Sequence, residues 1–89
     1  FKIIEKNIFD KNILNYIDKK FDIIFLDPPY REEKIKELFN IIFENKILDQ
    51  KGFIIIHRNK KSQDIFPDNF KIIDTRNYGI SKIFFLKLK

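Results

Sequence analysis

The sequence predicts an α/β fold built on a mostly parallel β-sheet with an antiparallel edge. Segments with helical spacing of apolar residues alternate with short, continuously apolar runs, which are typical of strands buried on both faces. Helices between such strands imply parallel pairing through right-handed crossovers. The last two predicted strands are joined too tightly for a crossover, so we expect them to pair antiparallel.

The first predicted elements end at a proline-rich turn. Residues 2–6 form a short candidate strand, and Asp10 can cap a helix whose apolar stripe begins at Ile13. Residues 21–26 read Phe-Asp-Ile-Ile-Phe-Leu, a run that suits a buried strand. Pro28 stops this strand because proline cannot donate to a ladder and restricts the residue before it.

The later elements follow in the same alternating order. They are a helix over residues 32–47, a strand over 53–56, one helical turn within 60–66, and strands over 70–76 and 81–88. Gly52 breaks the chain before the second buried strand. Gly79 lies between the last two strands, where we expect it to supply a turn with positive φ.

The composition excludes several classes of protein. The 89 residues make one domain or part of one. Cysteine is absent, which excludes a disulfide scaffold, a cysteine-based zinc site and a thiol nucleophile. No apolar run approaches the roughly 20 residues that cross a bilayer, and Lys2, Glu5 and Lys6 bring charge too early for a secretory signal. We therefore expect a cytoplasmic protein without a membrane partner.

The charge balance permits a nucleic-acid partner without requiring one. Lys and Arg number 18 and Asp and Glu 13, for a net charge of +5. An AT-rich genome yields a chain rich in Ile, Lys and Asn without any selection for binding, so both explanations stay open. The only glycines, Gly52 and Gly79, are too far apart to build a phosphate-binding or cofactor loop.

The sequence Asp27-Pro28-Pro29-Tyr30 carries the candidate chemistry, because it follows a buried strand at the carboxyl edge of the predicted sheet. A strand-end Asp can bind magnesium in an NTPase. Such an NTPase also needs a Gly-rich loop, which the two distant glycines of this chain cannot form. Two prolines stiffen the turn and fix a carboxylate, a backbone carbonyl and an aromatic ring around one point. We expect the Pro28 carbonyl to be free to accept. Two acceptors beside a ring face suit the planar amino group of a nucleobase.

Residues 21–30 resemble motif IV of the S-adenosylmethionine-dependent amino-group methyltransferases, which has the form (Asn/Asp/Ser)-Pro-Pro-(Tyr/Phe/Trp). Within that group the chain most resembles the RsmD-like family of bacterial small-subunit ribosomal RNA guanine-N2 methyltransferases. The helix directly after the motif, the segment 48–56 and the Arg76-to-Ser81 element with its Tyr-Gly pair support this choice. The resemblance covers essentially the whole chain but matches only the C-terminal half of the family's domain.

The resemblance implies a partial Rossmann-like class I methyltransferase fold, with residues 1–89 as the C-terminal half of a catalytic domain that lacks its cofactor loop here. It implies an enzyme that uses S-adenosylmethionine, and no metal, to methylate the N2 amine of a guanine in small-subunit (16S) ribosomal RNA. Its partner would be that RNA or the small ribosomal subunit. We expect the isolated chain to be inactive, poorly stable and a weak binder of the cofactor.

The resemblance also implies roles for single residues. Asp27 would accept one hydrogen bond from the target amine and contact the cofactor, and the Pro28 carbonyl would accept the other hydrogen bond. Pro29 would hold the turn, and Tyr30 would stack on the flipped guanine. Asn7 stands where the family often has an Asp that contacts the cofactor's adenine. An amide oxygen can still accept from the adenine amine, although Asn is also an ordinary turn residue.

Four further residues have weaker assignments. Arg58, with the two lysines that follow it closely, is expected either to hold RNA phosphates or to lie in a solvated loop. Arg76 and Tyr78 are expected to shape the pocket wall or contact RNA, although Tyr78 can equally be a packing residue. His57 departs from the Glu that the family usually has there, and we expect it to be a hydrogen-bonded structural residue.

Other functions stay open on the sequence alone. The same chemistry could act on DNA adenine N6 or on a glutamine amide, although glutamine methylators usually have Asn at the position of Asp27. The chain could also be a non-catalytic basic RNA-binding module, or the product of a degraded gene.

Overall fold

The computed structural model describes residues 21–28 and 31–89. Its elements are β1 (Phe21–Leu26), α1 (Glu32–Glu44), β2 (Leu48–Asn59), β3 (Phe70–Tyr78) and β4 (Ser81–Leu88). The predicted strand over residues 2–6, the helix after Asp10, and the residues Asn7, Pro29 and Tyr30 lie outside the described residues. No helix in the described part of the chain is long and apolar enough to cross a membrane.

The four strands form one mixed sheet in the order β1-β2-β4-β3. β1 and β2 pair in parallel and β3 and β4 antiparallel, which confirms both predictions. The expectation of a mostly parallel sheet is wrong, because β4 lies between β2 and β3 and runs antiparallel to both. β3 therefore points in the same direction as β1 and β2 but has no parallel neighbour among the described strands.

Helix α1 packs its apolar stripe on one face of the sheet. The buried core joins that stripe to alternate residues of the strands, namely Ile35, Leu38, Phe39 and Ile42 of α1 with Ile24, Leu26, Ile54, Ile56, Phe84 and Leu86. The ring of Phe39 extends the core toward the edge, with centroids 4.8 Å from Phe66 and 5.1 Å from Phe70. This packing fixes the carboxyl ends of β1 and β2 side by side, where the candidate site lies.

β2 and β3 extend beyond the predicted ranges 53–56 and 70–76, and two predicted helical segments also differ in the structure. α1 ends at Glu44, three residues before the predicted end at residue 47, because Lys46 adopts φ 52° and the Ile47 N–H donates to the Ile42 carbonyl. That left-handed residue and that bond form a helix-terminating motif. The segment 60–66 contains a turn followed by irregular chain, so the prediction of a helical turn there is wrong. Gly79 has φ 57°, which confirms the predicted turn.

Gly52 permits a close approach between β1 and β2. Phe21 pairs with Leu48 and Ile23 with Phe53, so the extra residues of β2 form an irregularity beside the start of β1. A Cβ atom on Gly52 would lie 2.6 Å from the Asp22 carbonyl oxygen and 2.7 Å from Leu48 Cδ1. Only glycine fits this contact without movement of the backbone.

We expect Gly52→Ala to lower the free energy of unfolding by about 1–3 kcal/mol, the usual cost of forcing extra atoms into a packed site. Urea denaturation of the protein expressed from its complete gene measures this, with Lys51→Ala as the control because Lys51 is the exposed neighbour on the same strand. Equal stability of the two variants would show that the contact relaxes without cost.

Candidate active site at the carboxyl ends of the parallel strands

A cleft of about 330 Å³ opens where β1 and β2 end and β4 begins. Its lining residues are Asp27, Pro28, His57, Arg58, Asn59, Ile80 and Ser81. The parallel pairing of β1 with β2 brings the first four together, and the Asn59–Ser81 pair adds the turn before β4. The cleft therefore lies at the sheet edge where open α/β folds bind their ligands.

Asp27 directly follows β1, and its side chain is 67% exposed at the cleft. His57 Nδ1 lies 2.9 Å from Asp27 Oδ1, so the imidazole and the carboxylate form a hydrogen bond. The other carboxylate oxygen, Oδ2, is not part of that bond. The exposed position agrees with a carboxylate that meets a ligand, since a carboxylate in the core would need a buried cation.

The Pro28 carbonyl accepts a hydrogen bond within the protein. Arg58 Nη1 donates to it at 3.2 Å. The expectation that this carbonyl is free is therefore wrong, because β2 places a guanidinium beside the turn. A carbonyl oxygen has two lone pairs, so the bond to Arg58 leaves acceptor capacity for a ligand.

Arg58 is buried, with 7% of its side chain exposed, and does not lie on a solvated loop. Its Nε donates to Asp64 Oδ2 at 2.9 Å, and the Ser62 hydroxyl donates to the same oxygen at 2.7 Å. Ile54, Ile56 and Arg58 alternate along β2 on the side of the core. The guanidinium is thus paired inside the protein, which contradicts the expectation that Arg58 contacts RNA phosphates.

The loop after β2 is tied to the start of α1. The Gln63 N–H donates to Glu32 Oε1 at 3.2 Å. Hydrogen bonds from the Glu32 backbone N–H and then from Gln63 lower the pKa of the Glu32 carboxyl below its ordinary value. The Lys60 N–H also donates to the Ile80 carbonyl at 2.7 Å, which connects the same loop to the turn before β4.

Arg76 and Tyr78 do not line the cleft in the described structure. Arg76 Nε donates to Asp74 Oδ2 at 3.1 Å, and its guanidinium lies 5.5 Å from the centroid of the Phe85 ring. Hydrogen bonds to Asp74 and then to Tyr78 raise the pKa of Arg76. Tyr78 is 56% exposed near the cleft, two residues before Ile80, so its contact with a substrate stays a prediction.

Sequence reasoning missed four residues around the cleft. Asp64 pairs with Arg58, and Asn59, Ile80 and Ser81 line the wall. A signal for Asp64 existed, because Arg58 follows Ile54 and Ile56 in the period-2 pattern and a buried arginine needs an acidic partner. Ile80 gave no such signal, since an exposed apolar residue in a turn is common.

Candidate metal ligands are not clustered in the described residues. Across 21–28 and 31–89, no group of three or more His, Asp or Glu side chains converges as a metal site. The polar groups of the cleft are instead a carboxylate, a carbonyl, an imidazole and a buried guanidinium, which together suit hydrogen bonding to an organic ligand.

Three known proteins are similar to most of this chain in sequence or in structure. Ribosomal RNA small subunit methyltransferase D of Buchnera aphidicola is 31% identical, over 81% of this chain and 45% of that protein. A conserved hypothetical protein from Streptococcus pyogenes matches with a TM-score of 0.73 at 23% identity, over 88% of this chain and 49% of that one. Escherichia coli yhhF, a protein named as a methyltransferase, matches with a TM-score of 0.67 at 18% identity, over 85% of this chain and 45% of that one.

The chain spans less than half the length of each of these three proteins. The two structural matches show that the described sheet and helix have the fold of part of those proteins. The family model described as Conserved hypothetical protein 95 matches residues 2–87, which is nearly the whole chain. The chain therefore belongs to the Conserved hypothetical protein 95 family, the RsmD-like family that its motifs predict.

Proposed function

We propose that this chain forms the target-base side of the active site of a methyltransferase that uses S-adenosylmethionine and modifies the N2 amine of a guanine in small-subunit ribosomal RNA. One observation carries the proposal: Asp27 and Pro28, which bear two successive acceptors, line one cleft at the end of β1. The name of the Buchnera relative supports ribosomal RNA as the substrate class.

The two acceptors address the chemical difficulty of the reaction. The lone pair of an exocyclic amine is delocalised into the base, so the nitrogen is a poor nucleophile. Acceptors aimed at its two protons favour the pyramidal, nucleophilic form as the transition state develops, which is electrostatic preorganisation with positioning. The methylated amine must then release one proton, and the solvent-exposed Asp27 carboxylate can pass it to water.

The described residues fit part of what S-adenosylmethionine requires. When bound, that cofactor supplies an electrophilic methyl group on a positively charged sulfur. The exposed carboxylate of Asp27 places negative charge at an open cleft, which suits such a cation. Asp27 and Asn7 are the residues of this chain that we propose for holding the cofactor.

The remaining site residues have three proposed roles: contact with the target base, support of the Pro28 carbonyl and contact with RNA phosphates. Pro29 and Tyr30 follow the two acceptors in sequence, and we propose that Tyr30 stacks on the extruded guanine. Arg58 acts from inside the protein by fixing the Pro28 carbonyl. Lys60 and Lys61, which were predicted with Arg58 as contacts with RNA phosphates, are exposed beside the cleft, and we propose that role for these two lysines alone.

A methyl-transfer assay tests the proposal. Protein expressed from its complete gene is incubated with radiolabelled S-adenosylmethionine and, separately, with small ribosomal subunits that lack the modification, with duplex DNA, and with a release factor. We expect label in the ribosomal RNA, recovered after nuclease digestion as N2-methylguanosine. Label on DNA adenine or on protein would assign a different substrate, and binding of RNA without any transfer would favour the non-catalytic module.

A further inference from the structure

His57 and Arg58 hold the two proposed acceptors from neighbouring positions of one strand. His57 bonds the Asp27 carboxylate at 2.9 Å, and Arg58 bonds the Pro28 carbonyl at 3.2 Å. Consecutive side chains of a strand point to opposite faces of the sheet, so the turn after β1 is held from both faces. Arg58 is buried and paired with Asp64, whereas the His57 side chain is 37% exposed at the cleft.

We propose that His57 is a positioning residue, which orients the Asp27 carboxylate so that Oδ2 meets the target amine. The inference rests on the proposed function. Nδ1 donates to Asp27 Oδ1, which restricts rotation of a side chain that is otherwise two-thirds exposed. A carboxylate fixed before the substrate arrives loses less conformational freedom in the transition state.

His57 lies on a central strand of the sheet, which holds its backbone in place. In the register of the sheet, His57 lies opposite Ile83 of β4, and the preceding Ile56 lies opposite Leu26 of β1. β2 is thus paired on both sides up to Ile56, the residue directly before His57, and β4 continues the pairing at His57 itself. A site residue anchored on a strand with two neighbours is held more precisely than one on a loop.

Kinetic variants of the complete gene product test the role. We expect His57→Ala to lower kcat about tenfold, as loss of a supporting hydrogen bond commonly does, with KM for the RNA and the cofactor within about twofold of wild type. The amide nitrogen of His57→Asn can occupy nearly the position of Nδ1, so that variant should retain kcat within about threefold. His57→Gln places its amide too far along the side chain and should resemble the alanine variant.

Lys36→Ala is the control, because Lys36 is exposed on α1 and does not line the cleft. A wild-type kcat in His57→Ala would overturn the positioning role while the proposed function stands. An Asn variant as impaired as the Ala variant would also overturn it, because the hydrogen bond would then not be the property that matters.

A measurement without turnover keeps the two proposals separate. ¹⁵N NMR of the complete gene product at about pH 8.5, where an ordinary imidazole is neutral, reports which ring nitrogen of His57 carries the proton, and the signals that vanish in His57→Asn identify its ring. We expect the Nδ1–H tautomer, and a shift to the Nε2–H tautomer in Asp27→Ala. An unchanged tautomer overturns the positioning role even if no substrate is ever methylated, in which case the proposed function fails on its own.

Discussion

Replacing Asp27 with alanine is expected to lower kcat for methyl transfer by about 10²–10³-fold, the usual effect of losing one preorganised polar group from an active site. The substitution removes one of the two acceptors that we propose for the target amine and leaves the Pro28 carbonyl in place. Folding should be little affected, because the Asp27 side chain is 67% exposed and follows the end of β1. Initial rates at saturating RNA and cofactor measure the first effect, and thermal unfolding measures the second.

Two further variants define the cause. Asp22→Ala is the matched control, since Asp22 is an exposed carboxylate on the same strand at the opposite end from the cleft. Asp27→Asn keeps an acceptor oxygen but loses the negative charge, so its rate should lie between those of wild type and Asp27→Ala. A folded Asp27→Ala protein with a rate within about twofold of wild type would contradict the proposed chemistry. Such a small decrease is far below the decrease in rate expected when an active site loses one acceptor.

The strand that precedes Asp27 could be predicted because its signals are local. The apolar run of residues 21–26 and the proline that ends it give the observed bounds of β1, from Phe21 to Leu26. The antiparallel β3–β4 pair was equally accessible, since Gly79 marks a connection too short for a crossover. Each of these features depends on residues within a few positions of one another.

The arrangement of the sheet depends on contacts between distant segments. β2 begins at Leu48, five residues before the predicted start, because the irregular pairing beside Gly52 extends the strand. The mixed sheet follows from β4 lying between β2 and β3, which no local pattern in β4 specifies. Hydrophobic periodicity identifies a strand but not its neighbours, so the parallel fraction was overestimated.

The site was only partly predictable for the same reason. Asp27 and Pro28 were identified from adjacent residues, and both line the cleft. The role of Arg58 depends on Asp64, which reaches it from the loop after β2, and on Pro28, which is 30 positions away in the sequence. Charge alone indicated a solvated or RNA-binding arginine, whereas its alternation with buried isoleucines indicated the core.

Breaking the Arg58–Asp64 pair is expected to cause a large loss of stability, because both side chains are buried. We expect Arg58→Met to lower the free energy of unfolding by about 3–5 kcal/mol, because Asp64 would remain as a buried charge without its cation. The Asp64 side chain is fully buried, and its Oδ1 already has no hydrogen-bond partner in the structure. Urea denaturation of the complete gene product measures the change.

The exposed pair of Arg76 with Asp74 supplies the matched control, because it has the same Nε–Oδ2 contact at 3.1 Å with about half of each side chain exposed. Arg76→Met should therefore cost less than about 1 kcal/mol. The double variant Arg58→Met with Asp64→Leu should recover part of the loss, since it removes the unpaired charge as well. Equal losses in the two arginine variants would show that burial does not set the strength of the Arg58–Asp64 pair.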